Sequence, residues 1–111
     1  MKIDQTPKFT VLKDEKGYFP AFAAYLDKVI PIKFGDHHLV IDLLEFTELD
    51  LDQLLLLLKV STYHRSTKHS LVIVSQSVDI DDIPAELVVV PSLQEAADII
   101  EMEEIERDLG F

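Results

Sequence analysis

The chain has 111 residues, 48% hydrophobic and 28% charged, with three Gly, five Pro and no Cys. That is enough for one core and too little for two, so a single domain over residues 1–111 is expected, and a disordered chain, a disulfide framework and thiolate chemistry are excluded. The net charge of −11 is uneven: residues 1–38 carry six Lys against five acids, residues 39–77 three bases against five acids, and residues 78–111 eleven acids against one Arg. Such a field repels phosphate backbones and anionic lipid, so neither nucleic acid nor a membrane is the expected partner. A protein with a basic surface is the natural complement, a homodimer is left open, and solvated acidic helix faces are the plainer alternative.

In chain order, Lys8–Asp14 alternates and predicts an edge strand, with Asp14-Glu15-Lys16-Gly17 as a hairpin-like turn after it. Phe22, Ala23, Leu26, Val29 and Ile30 recur at helical spacing behind Pro20, so Pro20–Ile30 reads as a helix that Pro31 ends. The continuous apolar run Leu39–Phe46 predicts a strand buried on both faces. From Leu51 to Arg65 a second helix is expected, wrapped by Leu54, Leu55, Leu57, Leu58 and Ser61. Asp50 or Asp52 would cap its start, and Lys59, His64, Arg65, Lys68 and His69 lie near its negative end. Ser70–Ser77 reads as another buried strand, Asp79–Leu87 as a short helix or turn, and Glu86–Pro91 as a third core strand. Ser92 with Glu95 forms a capping-box pattern opening a last helix, whose apolar stripe would be Leu93, Ala96, Ala97, Ile100, Ile105 and Leu109.

Helices alternating with strands imply an α/β fold in which right-handed crossovers make part of the sheet parallel. No apolar run is long enough to span a bilayer and Met1–Phe9 lacks a signal-peptide core, so a cytoplasmic location is expected.

The richest segment is His38–Leu56, where a buried strand runs through an acidic loop into a leucine-rich helix. Strand-to-helix turns of this kind are where α/β proteins build sites. This one offers Glu48, Asp50 and Asp52, without a phosphate-cradling glycine loop or a GxSxG nucleophile. His37 and His38 are adjacent and point to opposite faces in an extended segment, His64 and His69 are five apart, and HxHxDH, HExxH and CxxC are absent. No metal, cofactor or catalytic residue is therefore expected. The basic stretch Lys59–His69 reads as a helix end and loop. Ile105, Leu109 and Phe111 could anchor a docking tail, or Phe111 could fold back on the core.

The order of elements, with LVIDLLEFTELDLDQL, SLVIV and VVVPSLQEAADII, resembles the STAS domain family of bacterial anti-sigma-factor antagonists over roughly residues 38 to 109. The resemblance implies a mixed sheet of four to five strands with helices mainly on one face, and a regulatory protein–protein interaction module rather than an enzyme. In that family the loop reads Asp-Ser-Ser-Gly-Leu, and its second Ser is phosphorylated by a partner kinase to switch off binding. Asp50 and Leu54 match the Asp and Leu; Leu51, Asp52 and Gln53 replace the two serines and the glycine, which makes Asp52 a degenerate phosphoacceptor position. The partner-binding residues so implied are Thr47, Glu48, Asp50, Asp52 and Gln53, joined by Glu103, Glu104, Glu106 and Asp108 of the acidic last helix. The ending VVVPSLQEAADIIEMEEIERDLGF is also similar to that of short bacterial proteins carried under the name ribonuclease Z. That similarity implies tRNA 3′ processing, or an accessory of it, as an alternative; binding of a small ligand by a STAS-like domain is another.

Overall fold

The computed structural model describes residues 1–110 and has five strands in one sheet, in the spatial order of the chain. The strands are β1 (Lys2–Gln5), β2 (Thr10–Lys13), β3 (Leu39–Asp42), β4 (Leu71–Val74) and β5 (Val89–Val90). The helices are α1 (Phe19–Lys33), α2 (Leu51–Leu54), α3 (Leu58–Ser66) and α4 (Leu93–Asp108). A 3-10 turn at Leu55–Leu57 joins α2 to α3, and another lies at Ile80–Asp82.

Strand β1 runs antiparallel to β2, while β2, β3, β4 and β5 are mutually parallel. The expected edge strand therefore lies inside the sheet, and the hairpin precedes it. Its turn is closed by the Thr6 hydroxyl, which accepts from the amides of Lys8 and Phe9 and donates to the Phe9 carbonyl. The Asp14–Gly17 turn instead leads into α1: the Gly17 amide donates to Asp14 at 2.6 Å, and φ +79° at Gly17 is a conformation that favours glycine.

Pro31 does not end α1, which continues to Lys33. A proline removes the bond to the carbonyl four residues back, here that of Asp27 on the exposed side. Only two helical residues follow, and the Phe34 amide still closes the last turn on the Ile30 carbonyl at 3.0 Å.

The helices lie mainly on one face of the sheet, as expected, with α4 alone covering the other. Leu12, Leu39, Ile41, Leu71 and Ile73 meet α1 and the α2–α3 run in the larger core. Val11, Val40, Val72 and Val74 point the other way, onto Ala96 and Ile100 of α4. This explains why β3 and β4 are apolar at successive positions and fully buried. Within the leucine run the tightened 3-10 turn puts Leu54 and Leu57 on one line, and both are buried. No helix among the described residues is long and apolar enough to cross a membrane.

Candidate functional site

The residues singled out in the sequence fall at the two ends of the parallel sheet. At its carboxyl end, β3 delivers Asp42, which accepts from the Leu44 amide at 3.0 Å and turns the chain outward. Phe46 fixes the next step. Its ring meets Phe19 edge-on at 5.5 Å, its amide bonds to the Leu43 carbonyl at 3.0 Å, and its carbonyl accepts from the Ser77 hydroxyl at 2.6 Å.

Asp50 is the cap of α2: it accepts from the Gln53 amide at 2.8 Å, while the Gln53 side chain accepts from the Asp50 amide at 3.2 Å. This reciprocal box settles the choice between Asp50 and Asp52 and satisfies two amides that a helix start leaves open. Leu54 anchors the turn from below, fully buried. Thr47, Glu48 and Asp52 remain exposed, with Gln53 half-buried. Glu45 pairs with Lys13 at 3.0 Å. Beside this loop is an open groove of about 590 Å3, lined by Tyr18, Phe19, Pro20, Phe46 and Leu49 together with Glu45, Thr47, Glu48 and Gln53.

The acids of α4 lie at the other end and divide into two sets. The predicted apolar stripe is buried only at Ala96 and Ile100, with Ala97 half-buried and Leu93, Ile105 and Leu109 exposed. From Ile100 to Ile105 is five residues, a rotation of about 140° away from the sheet, so Ile105 cannot continue the stripe. The positions that do continue it are Glu103, Glu104 and Arg107, and the inner face of α4 changes there from apolar to ionic.

Glu103 is bound on both carboxylate oxygens. Arg65 donates to Oε2 in a short charge-assisted bond, the Ser70 hydroxyl donates to Oε1 at 2.6 Å, and Arg107 lies 3.8 Å from Oε1. Burial pushes the Glu103 carboxyl up, but the bonds from Arg65 and Ser70 and the charges of Arg65 and Arg107 outweigh it and hold it below its ordinary value. Glu104 takes the Nε2–H of His38 at 2.9 Å. The other ring nitrogen of His38 accepts from the Ser70 amide at 2.9 Å, which keeps the proton on Nε2. Burial lowers the pKa of His38 despite the opposing charge of Glu104.

His64 is fully buried and donates Nε2–H to the His37 carbonyl at 2.6 Å; its Nδ1 has no hydrogen-bond partner among the described residues. Burial is also the leading reason its pKa is lowered. His69 completes the group, 5.5 Å from His38 and 5.7 Å from His64 between ring centroids. Among the described residues no three His, Asp or Glu are placed to hold a metal ion.

Glu103 and Glu104 thus serve to attach α4 to the sheet, whereas Glu106 and Asp108 face solvent. Neither set lies near the residue 47–53 loop, so the residues implied as partner-binding do not form one patch. Phe111, the third proposed anchor of the tail, lies outside the described residues.

Sequence reasoning missed the histidine and ion-pair cluster, although a signal for it exists. His37-His38 precedes β3 and His69 precedes β4, and the parallel register pairs Leu39 with Leu71. Residues just before two adjacent parallel strands must be neighbours. No protein-family model, curated protein or solved structure matches the chain.

Proposed function

We propose that the chain is a non-enzymatic, STAS-like interaction module that binds a protein with a basic surface through the residue 47–53 loop and the start of α2, with the outer side of α4 as a second contact. One observation carries this reading: a rigidly braced loop leaves its charges outward. Asp42, Phe46, Asp50 and Gln53 hold the backbone, while Glu48 and Asp52 are exposed beside an open groove in which Tyr18, Phe19, Phe46 and Leu49 stand among Glu45, Thr47, Glu48 and Gln53. Aromatic side chains mixed with polar and charged ones are a common composition for a non-obligate protein interface.

The mixed sheet and the capping of α2 by Asp50 support the STAS-like part of the proposal. Asp52, at the position of the family's phosphoacceptor, carries one negative charge where phosphoserine carries about −1.5 to −2. Binding at this loop is accordingly proposed to be constitutive. The bonds that engage His37, His38, His64 and His69 within the fold support a binding role over metal-dependent tRNA processing.

The test is affinity capture with the full chain and with Asp52→Lys, a change at an exposed position. Loss of the captured protein with Asp52→Lys supports the reading; unchanged capture removes the loop from the interface. Chelator-sensitive cleavage of a precursor tRNA by the purified chain with zinc or manganese would overturn the non-enzymatic assignment. The groove beside the loop favours one second reading, a small ligand, which thermal-shift screening would reveal as a midpoint rising with ligand concentration.

A further inference from the structure

The same rotation that turns Glu103, Glu104 and Arg107 inward turns three large apolar side chains outward. Met102, Ile105 and Leu109 are 56%, 53% and 66% exposed. At 3.6 residues per turn they fall within about 60° of one another, on the side of α4 away from the sheet. Asp98, Glu101, Glu106 and Asp108 flank them, and none of these four is in a salt bridge among the described residues. The one base of the helix, Arg107, is turned inward, where it donates to the Ser70 hydroxyl at 3.1 Å.

An ordinary solvated helix places Lys or Arg three or four residues from its acids. Here the available cations, Arg65 and Arg107, are engaged on the inner side with Glu103 and Ser70, and the outer acids have no counter-charge from their own helix. A second copy of the chain would bring this acidic border against itself, and anionic lipid would be repelled in the same way. A complementary surface has apolar side chains between lysines or arginines.

We propose that the outer face of α4 docks a basic amphipathic segment of a partner protein, with Met102, Ile105 and Leu109 buried against its apolar side and Glu101, Glu106 and Asp108 facing its cations. This rests on the interaction-module reading and names the partner chemistry for its second surface.

The test uses a fluorescent synthetic helix with a leucine stripe bordered by lysines, and a scrambled peptide of the same composition, each titrated by anisotropy onto the full chain. Saturable one-to-one binding of the patterned peptide is expected. Ile105→Ser with Leu109→Ser should weaken it at least about tenfold, as should Glu101→Gln with Glu106→Gln and Asp108→Asn. All these positions are exposed, and circular dichroism confirms that the variants fold. Equal binding of the scrambled peptide, unchanged binding by the serine variant, or no binding by the parent chain overturns the proposal. Asp52→Lys separates the two surfaces. Unchanged peptide binding in that variant supports α4 as the site, whereas peptide binding lost with Asp52→Lys but retained by the α4 variants overturns the α4 inference and leaves the loop reading standing.

Discussion

Glu103→Gln removes one charge from the centre of the contact between α4 and the sheet while keeping the side chain's shape. In the parent chain the carboxylate accepts from Arg65 and Ser70 and faces Arg107. A glutamine keeps one acceptor oxygen, presents an NH2 where the other stood, and leaves two guanidinium groups without their counter-ion. Breaking a fully buried pair costs about 3–5 kcal/mol, and a single hydrogen bond to a charged group is worth about 1.5–3 kcal/mol. The Glu103 and Arg65 side chains keep 18% and 26% of their exposure, so solvent screens the pair and the lower part of that range applies, about 2 kcal/mol. For a domain of this size that is a fall in Tm of roughly 8 °C, or about 1 M in the urea midpoint.

The pH dependence gives a second check. The folded-state pKa of Glu103 is lowered, so its contribution is fully present above the unfolded value near ~4.3 and is lost as pH falls through the folded value. Urea unfolding of both chains followed by circular dichroism at pH 7 and below pH 4 should show a gap that narrows in acid. A difference under about 0.5 kcal/mol at pH 7, the size expected for an ordinary surface change, would refute a structural role for Glu103. So would a gap that does not vary with pH.

Leu54→Ala, at a fully buried position, should cost about 3 kcal/mol through lost burial and a residual cavity, read from the urea midpoint. Asp50→Ala removes the capping box and should cost about 1 kcal/mol, with Asp50→Asn recovering most of it, because asparagine caps nearly as well. His64 has a lowered folded-state pKa, so the unfolded chain takes up the proton first as pH falls. Stability from this group is full above about pH 6.5 and declines below it until the folded value is passed. His64→Gln, whose side-chain amide can still donate to the His37 carbonyl, should flatten that decline below about pH 6.5 in the same urea assay, and an unchanged slope would contradict it.

The alternation of apolar strands with helices is legible because the buried strands are short apolar runs and the helix starts are marked by Pro20 in α1, Asp50 in α2 and Ser92 in α4. What the sequence hid has physical reasons. All four residues of β1 are exposed, so no apolar pattern marks it, and only pairing with β2 makes it a strand. The side of the sheet that α4 covers is not encoded in its own stripe; it follows from the valines at alternate positions of β2, β3 and β4 that need a cover. The stripe itself was misread because apolar identity was followed past Ile100 without its rotation, and Glu103, Glu104 and Arg107 take the inner positions.

The loop was read correctly as a capped helix start bearing carboxylates, since Asp50 and Gln53 are local to one another in sequence. The histidine cluster was missed because it depends on two parallel strands coming together. The consequence for function is a division of labour among carboxylates that look alike in sequence. Asp42, Asp50, Glu103 and Glu104 hold the fold, while Glu48, Asp52, Glu106 and Asp108 are exposed and are the ones proposed to meet a partner.

The central claim is that this chain acts by binding a protein through its outward-facing residues. Quantitative affinity capture from lysate, comparing the full chain with Asp52→Lys and with Ile105→Ser/Leu109→Ser, tests it most directly. The account predicts a discrete protein with a basic surface, retained by the parent chain and depleted with at least one of the two variants; the same proteins retained equally by all three chains would contradict it.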